Sequence, residues 1–446
     1  MTEIVIGRRA LLAGSALVVA GGAVAAAAGC TNDGTASAAS PSPTGSPTDT
    51  DSWQAIRDQF ALDPKLVHFA AFILAPHPAP VRTAIERWRA ALDSDPATAV
   101  HDAYNHDESV RAAASRYLRV RPDEIALTDS TTMGLGLVYN GLTLEPGTHV
   151  LTSTHDFYST HEALRLAAER SGAEVEHVTL YDDPSTADAD EMTARLASAL
   201  RPETRVVALT WVHSSTGVKL PGRQIADMLA DANRDREPDR RALLCIDGIH
   251  GLGVEEDGPT ELGCDVLISG THKWLFGPRG TGLVWAKPEA GEAIGAIVPP
   301  FDPVGFENWI GGTDRPRPFR DAGTPGGYKA FEHRWAVADA FEFHQSIGAD
   351  RIAARSRELA TQLKEGLEGV QGIRVITPSD PQLSSGLVCC EVTGLPAGQV
   401  VDQLHRDHGI VASVTPYREQ YVRFGTSIVT TPDQVDQVIA AVADLA

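Results

Sequence analysis

A single lysine stands between a histidine and a tryptophan in SGTHKWLFGPRGTG, residues 269–282, after the strand-like run CDVLI and before a cluster of glycines. An uncharged lysine amine attacks aldehydes and accepts protons. Ligands of open α/β sheets gather just past the strand ends, which is where Lys273 falls. Most lysines are solvated and do no chemistry, so the company it keeps decides. Asp247 closes a second apolar run, ALLCIDG, and offers a carboxylate to the same crevice. In ALTDSTTMGLGLVYNGL, Ser130, Thr131 and Thr132 precede a helix with Gly134 and Gly136 in its first turns. Hydroxyls and free N–H groups at a helix start bind phosphate. Singly, these features are a loop lysine, half of an ion pair and an N-cap. Together they are the parts that pyridoxal phosphate needs: a Schiff-base lysine, an acid for the pyridine nitrogen and a phosphate cup.

Alternating elements must position these groups. From about residue 81 the chain reads as helix PVRTAIERWRAALDSD and helix ESVRAAASRYLRV. Short apolar strands separated by helical stretches follow: HVLTST, AEVEHVTL, RVVALTWV, ALLCIDG, DVLISG and TGLVWA. That pattern predicts an α/β fold with a largely parallel sheet covered on both faces. Near residue 300 a Pro/Gly-rich stretch intervenes. One long helix, KAFEHRWAVADAFEFHQSIG, a second helix and a smaller α+β set come after it. The expected organisation is an export signal over 1–30, a tether over 31–52, an N-terminal segment over 53–80 and a large cofactor-binding domain over 81–300. An interface and phosphate loop over 301–330 and a small C-terminal domain over 331–446 complete it.

Composition adds an address more than a function. The 446 residues carry a formal charge of -21, which disfavours nucleic acid or an anionic membrane as a face-on partner. GRRALLAGSALVVAGGAVAAAAGC pairs Arg8 and Arg9 with a weakly apolar run ending at Cys30, the pattern of a twin-arginine export signal with a lipobox. It predicts an extracytoplasmic protein held to the membrane through a lipid on Cys30. The Ser/Thr/Pro/Gly tract after it has no core-forming residues and reads as a tether. Cys245, Cys264, Cys389 and Cys390 lie in or beside apolar runs, as buried inert thiols do, and no His/Cys cluster has zinc spacing.

Over roughly residues 66–440 the sequence resembles the class V aminotransferase family of fold-type I pyridoxal-phosphate enzymes, and within it the isopenicillin N epimerase-like branch. DGIHGLG, HKWLFGPRGTG, RDAGTPG and VRFGTSIVTTPDQVD carry the resemblance, in the family's order. It implies a seven-stranded, mostly parallel sheet with a smaller C-terminal α+β domain, and a homodimer with shared sites. It further implies that Lys273 binds the cofactor covalently, that Asp247 pairs with the ring nitrogen, and that His250 lies near the ring hydroxyl. Thr131, Thr132 and His272 would grip the phosphate, and Thr324 would reach the phosphate of the neighbouring subunit. Phe157 would stack on the ring, with Tyr158 a near competitor. Arg423 would clamp the α-carboxylate of an amino-acid substrate, with Arg418 the alternative. Two departures stand out. GIVASVTPYREQYVRFG holds no cysteine where desulfurases have one, so persulfide chemistry is not expected. Ala70, Ala71, Phe72 and Ile73 replace an Asn and a Gly-Ser pair beside the substrate. Transamination, epimerisation and β-elimination all remain open. The alternative from another class is an exported binding lipoprotein that keeps the fold without turnover.

Overall fold

The apolar runs between residues 125 and 286 pair into one seven-stranded sheet in the computed structural model, which describes residues 50–446. The export signal, Cys30 and most of the expected tether lie outside the described residues. In chain order the strands are β1 (Ile125–Thr128), β2 (His149–Ser153), β3 (Glu174–Val178), β4 (Thr204–Thr210), β5 (Leu243–Asp247), β6 (Val266–Gly270) and β7 (Gly282–Ala286). They lie side by side as β1-β7-β6-β5-β4-β2-β3. β3, β2, β4, β5 and β6 pair in parallel, and β7 runs antiparallel to both of its neighbours. Strands buried on both faces read as continuous apolar runs, which is why they are visible in the sequence. β3 alone alternates charge with Val, because its edge of the sheet is exposed, whereas the other edge, β1, is buried and stapled to Thr324. β1, too short for its own periodic signal, was not expected.

Two helices, α1 (Ala79–Ser94) and α2 (Ala103–Leu118), form where the sequence places them, α2 starting a turn earlier. α3 (Thr131–Gly141) and α4 (Tyr158–Ser171) begin at the strand ends that line the site. The long helix expected at 329–348 is broken. Phe331–Trp335 is a separate turn, and α5 (Val337–Ile347) restarts after Ala336. The break turns Trp335 into a ring cluster with Trp88, His106 and Phe331, while Val337, Ala340 and Phe341 of α5 join the core under the large sheet.

A second, four-stranded antiparallel sheet carries the C-terminal part. Its strands are β8 (Ile373–Val375), β9 (Leu387–Val392), β10 (Ser413–Val414) and β11 (Val422–Gly425), in the order β10-β11-β9-β8. α6 (Ala349–Glu368), α7 (Ala397–His408) and α8 (Pro432–Ala443) pack with it around a separate core. The N-terminal segment joins both bodies. Val67–His68 pairs in parallel with Ile410–Val411, Phe69 packs edge-on against Phe424, and Ala75 N–H donates to His272 O at 2.9 Å.

Candidate active site

Lys273 lies past the end of β6 in a tight turn. Phe276 N–H returns to Lys273 O, and Phe276 takes φ 54°, a left-handed backbone rare for an aromatic residue. The ring of Phe276 is buried edge-on to Phe60 at 5.0 Å, and this packing holds the unfavourable turn. The Lys273 amine is nearly enclosed. Its Nζ stands 3.1 Å from His250 Nε2, and Trp274 Nε1–H donates to His250 Nδ1 at 3.1 Å. Burial lowers the lysine's pKa, with Arg423 acting in the same direction and Asp247 opposing. Burial likewise holds His250 well below the usual imidazole range.

Asp247 ends β5 and is 2% exposed. It accepts a hydrogen bond from Ile249 N–H at 3.0 Å; burial raises its pKa, with that bond and the Lys273 charge opposing, and no cation pairs with it directly among the described residues. A protonated pyridine nitrogen is the partner such a carboxyl lacks. The α3 start is built as expected, with one difference. Ser130 caps it by accepting from Met133 N–H, leaving the N–H groups of Thr131 and Thr132 without intrahelical acceptors. The Thr131 oxygen accepts from Gly270 N–H at 2.7 Å and keeps its own proton to donate, whereas Thr132 is exposed and meets Ser159 Oγ at 3.1 Å. His272 Nδ1 is buried without a partner among the described residues. A phosphate acceptor fits that inventory of unspent donors.

Arg423 reaches the same space from the small domain. It is 6% exposed; its Nε donates to Ser413 Oγ at 3.1 Å and its Nη1 to Ser214 O at 2.9 Å. Its guanidinium carbon sits 4.8 Å above the Phe72 ring. Among the described residues no carboxylate pairs with it. Arg418, by contrast, is exposed. Phe72 stacks on Trp274 at 5.7 Å and meets His250 edge-on at 6.0 Å, so one ring supports the arginine, the indole and the imidazole.

The remaining expected residues divide. Phe157 caps α4 half-buried, edge-on to Tyr417 at 5.9 Å, and the Tyr417 hydroxyl bonds Ser214 Oγ at 2.7 Å. Tyr158 is 69% exposed and His155 is stacked on Tyr181, while Phe157 is the half-buried ring that meets Tyr417. Thr324 is not brought to this site within the chain. Its single proton goes to Arg320 O at 2.6 Å and its oxygen accepts from Leu127 N–H, stapling the 320–324 segment to the edge strand β1. Trp274, Tyr417, Ser214 and Ser413 were not singled out from sequence. Trp274 sits inside the HKW motif and was readable there; the others belong to loops whose approach only the fold sets.

Comparison with known families matches aminotransferase class-V over residues 78–437. Isopenicillin N epimerase of Amycolatopsis lactamdurans is 28% identical over 372 residues, 80% of this chain and 88% of that protein. The Streptomyces clavuligerus isopenicillin N epimerase is 26% identical over 408 residues, 87% and 97% of the two chains. A probable cysteine desulfurase of Xylella fastidiosa is 28% identical over 349 residues, 74% and 78% of the two. The structure of the cystine C–S lyase C-DES with its product cysteine persulfide superposes with a TM-score of 0.75 at 21% identity, over 85% of this chain and 98% of its own. At that identity the likeness is one of fold.

Proposed function

The chain belongs to the aminotransferase class-V family, and from that premise we propose that it removes the Cα proton of an amino acid or amino-acid conjugate, with Lys273 as the base. Transamination, epimerisation and β-elimination share that step. The family's cofactor is pyridoxal phosphate, and Lys273, Asp247, His250, His272 and the α3 start fit it. When bound, it withdraws electrons from Cα. The observation that carries the reading is Arg423, a buried guanidinium without an acidic partner among the described residues, within electrostatic reach of the Lys273 amine. A substrate α-carboxylate completes it. Arg423 then orients Cα, Asp247 holds the proton on the ring nitrogen, and Lys273 takes and returns the Cα proton. Phe72, against Arg423, His250 and Trp274, lends the site an apolar wall.

The likeness to isopenicillin N epimerases over most of both chains supports epimerisation ahead of the other outcomes. Desulfurase-type persulfide transfer is disfavoured because Cys245, Cys264, Cys389 and Cys390 are all buried, and burial pushes the Cys389 thiol up to about 12. The purified protein should show the visible absorption of a lysine-bound cofactor, lost in Lys273→Ala without unfolding. A panel of L- and D-amino acids scored for inverted product, keto acid and ammonia then names the reaction. No turnover of any member would leave the binding-lipoprotein reading standing.

Export through Arg8 and Arg9 and anchoring at Cys30 belong to the same proposal, and release of a Cys30→Ala chain from membranes tests the anchor. So does a homodimer. Phe301, Phe306, Trp309, Ile310 and Tyr328 stand exposed, Trp309 and Tyr328 each at 81%, which supports their burial against a second copy.

A further inference from the structure

Trp274 has one polar side-chain atom, an indole N–H that only donates. It points to His250 Nδ1, so Nδ1 accepts and carries no proton. An uncharged imidazole with Nδ1 bare has its proton on Nε2, and Nε2 is the atom 3.1 Å from Lys273 Nζ. An ammonium there would set N–H against N–H. Only an uncharged amine has the lone pair to accept.

We propose that Trp274 is a positioning residue that fixes His250 as the Nε2–H tautomer, so that the part-buried His250–Lys273 hydrogen bond is completed only by the uncharged lysine amine. That is the form that captures an aldehyde and takes up a proton. Phe72 makes the device rigid, since its stacking on Trp274 and edge contact to His250 set the plane of the indole against the imidazole. The groups facing the pair agree with the assignment. Lys273, Arg423 and His272 all oppose a second proton on His250; around Lys273, burial and Arg423 oppose the ammonium, with Asp247 alone favouring it.

The inference rests on Lys273 as the cofactor-binding residue, and the test separates the two. The full chain, stripped of cofactor, is mixed with pyridoxal phosphate and the visible band is followed against pH. Trp274→Phe keeps a ring on Phe72 but removes the donor, freeing His250 to accept from an ammonium. The midpoint of capture should rise by about one pH unit, with about tenfold slower capture on the acid side. An unmoved midpoint in Trp274→Phe overturns the proposal. Nitrogen NMR of histidine-labelled wild type decides the tautomer without any variant: a proton on His250 Nδ1 overturns it, and a bare Nδ1 with protonated Nε2 supports it. No band from wild type at any pH would instead refute the cofactor reading, whatever tautomer is found.

Discussion

At the scale of single residues, Arg423 separates charge from geometry. Its planar fork is spent on Ser413 Oγ and Ser214 O with the remaining edge unpaired, a pose that a lysine cannot copy. Arg423→Lys should therefore lower kcat/KM by about one to two decades while leaving the cofactor's visible band in place, as steady-state kinetics and absorption of the same sample will show. Wild-type kinetics would move the carboxylate elsewhere. Lys273, Asp247, His250 and Arg423 were legible in the sequence because each sits in a motif that ends a strand or lies within one. What was not legible was their second layer of contacts. Nothing in the spacing of Trp274 says that its N–H meets His250, and nothing in TPYRE says that Tyr417 folds back onto Ser214. Within the chain Thr324 spends its proton on the carbonyl of Arg320, a contact that the spacing of its loop does not show either.

At the scale of elements, β11 and the N-terminal segment depend on one missing side chain. A Cβ on Gly425 would lie 2.2 Å from the Phe72 ring, while Gly425 N–H donates to Phe69 O at 2.7 Å. The backbone is held there and the ring must give way. Gly425→Ala should cost about 1–3 kcal/mol in denaturant unfolding. It should also raise KM, because Phe72 supports both Arg423 and Trp274. An unchanged KM with reduced stability would mean that the ring is mere packing. The strands of the large sheet were legible because both faces are buried. The break at Ala336 was not, since the apolar spacing continues through it and only the Trp335 ring cluster rewards the interruption.

At the scale of the molecule, several buried histidines stay neutral. His344 on α5 has both ring nitrogens unpartnered among the described residues, and burial lowers its pKa to about 3; His155 and His213 are lowered to about 3 as well, again chiefly by burial. Their folded pKa lies below the unfolded value near 6.5, so the stability they contribute is complete above that pH and is lost as pH falls toward 3. At pH 5 each costs about 2 kcal/mol relative to neutrality. His344→Leu should flatten the drop in unfolding free energy between pH 7.5 and 5 by about that amount, and an unaltered slope would show that His344 is not a source of it. The pairing of Val67–His68 with Ile410–Val411 has its own consequence. The first partner leaves the ribosome long before the second. Until then Phe69 has no Phe424 to meet, and the small core cannot close. The small core is thus completed only once Phe424 has been made, and a nascent chain stalled before residue 410 carries Lys273 and Asp247 but has no Arg423 to hold a substrate against them.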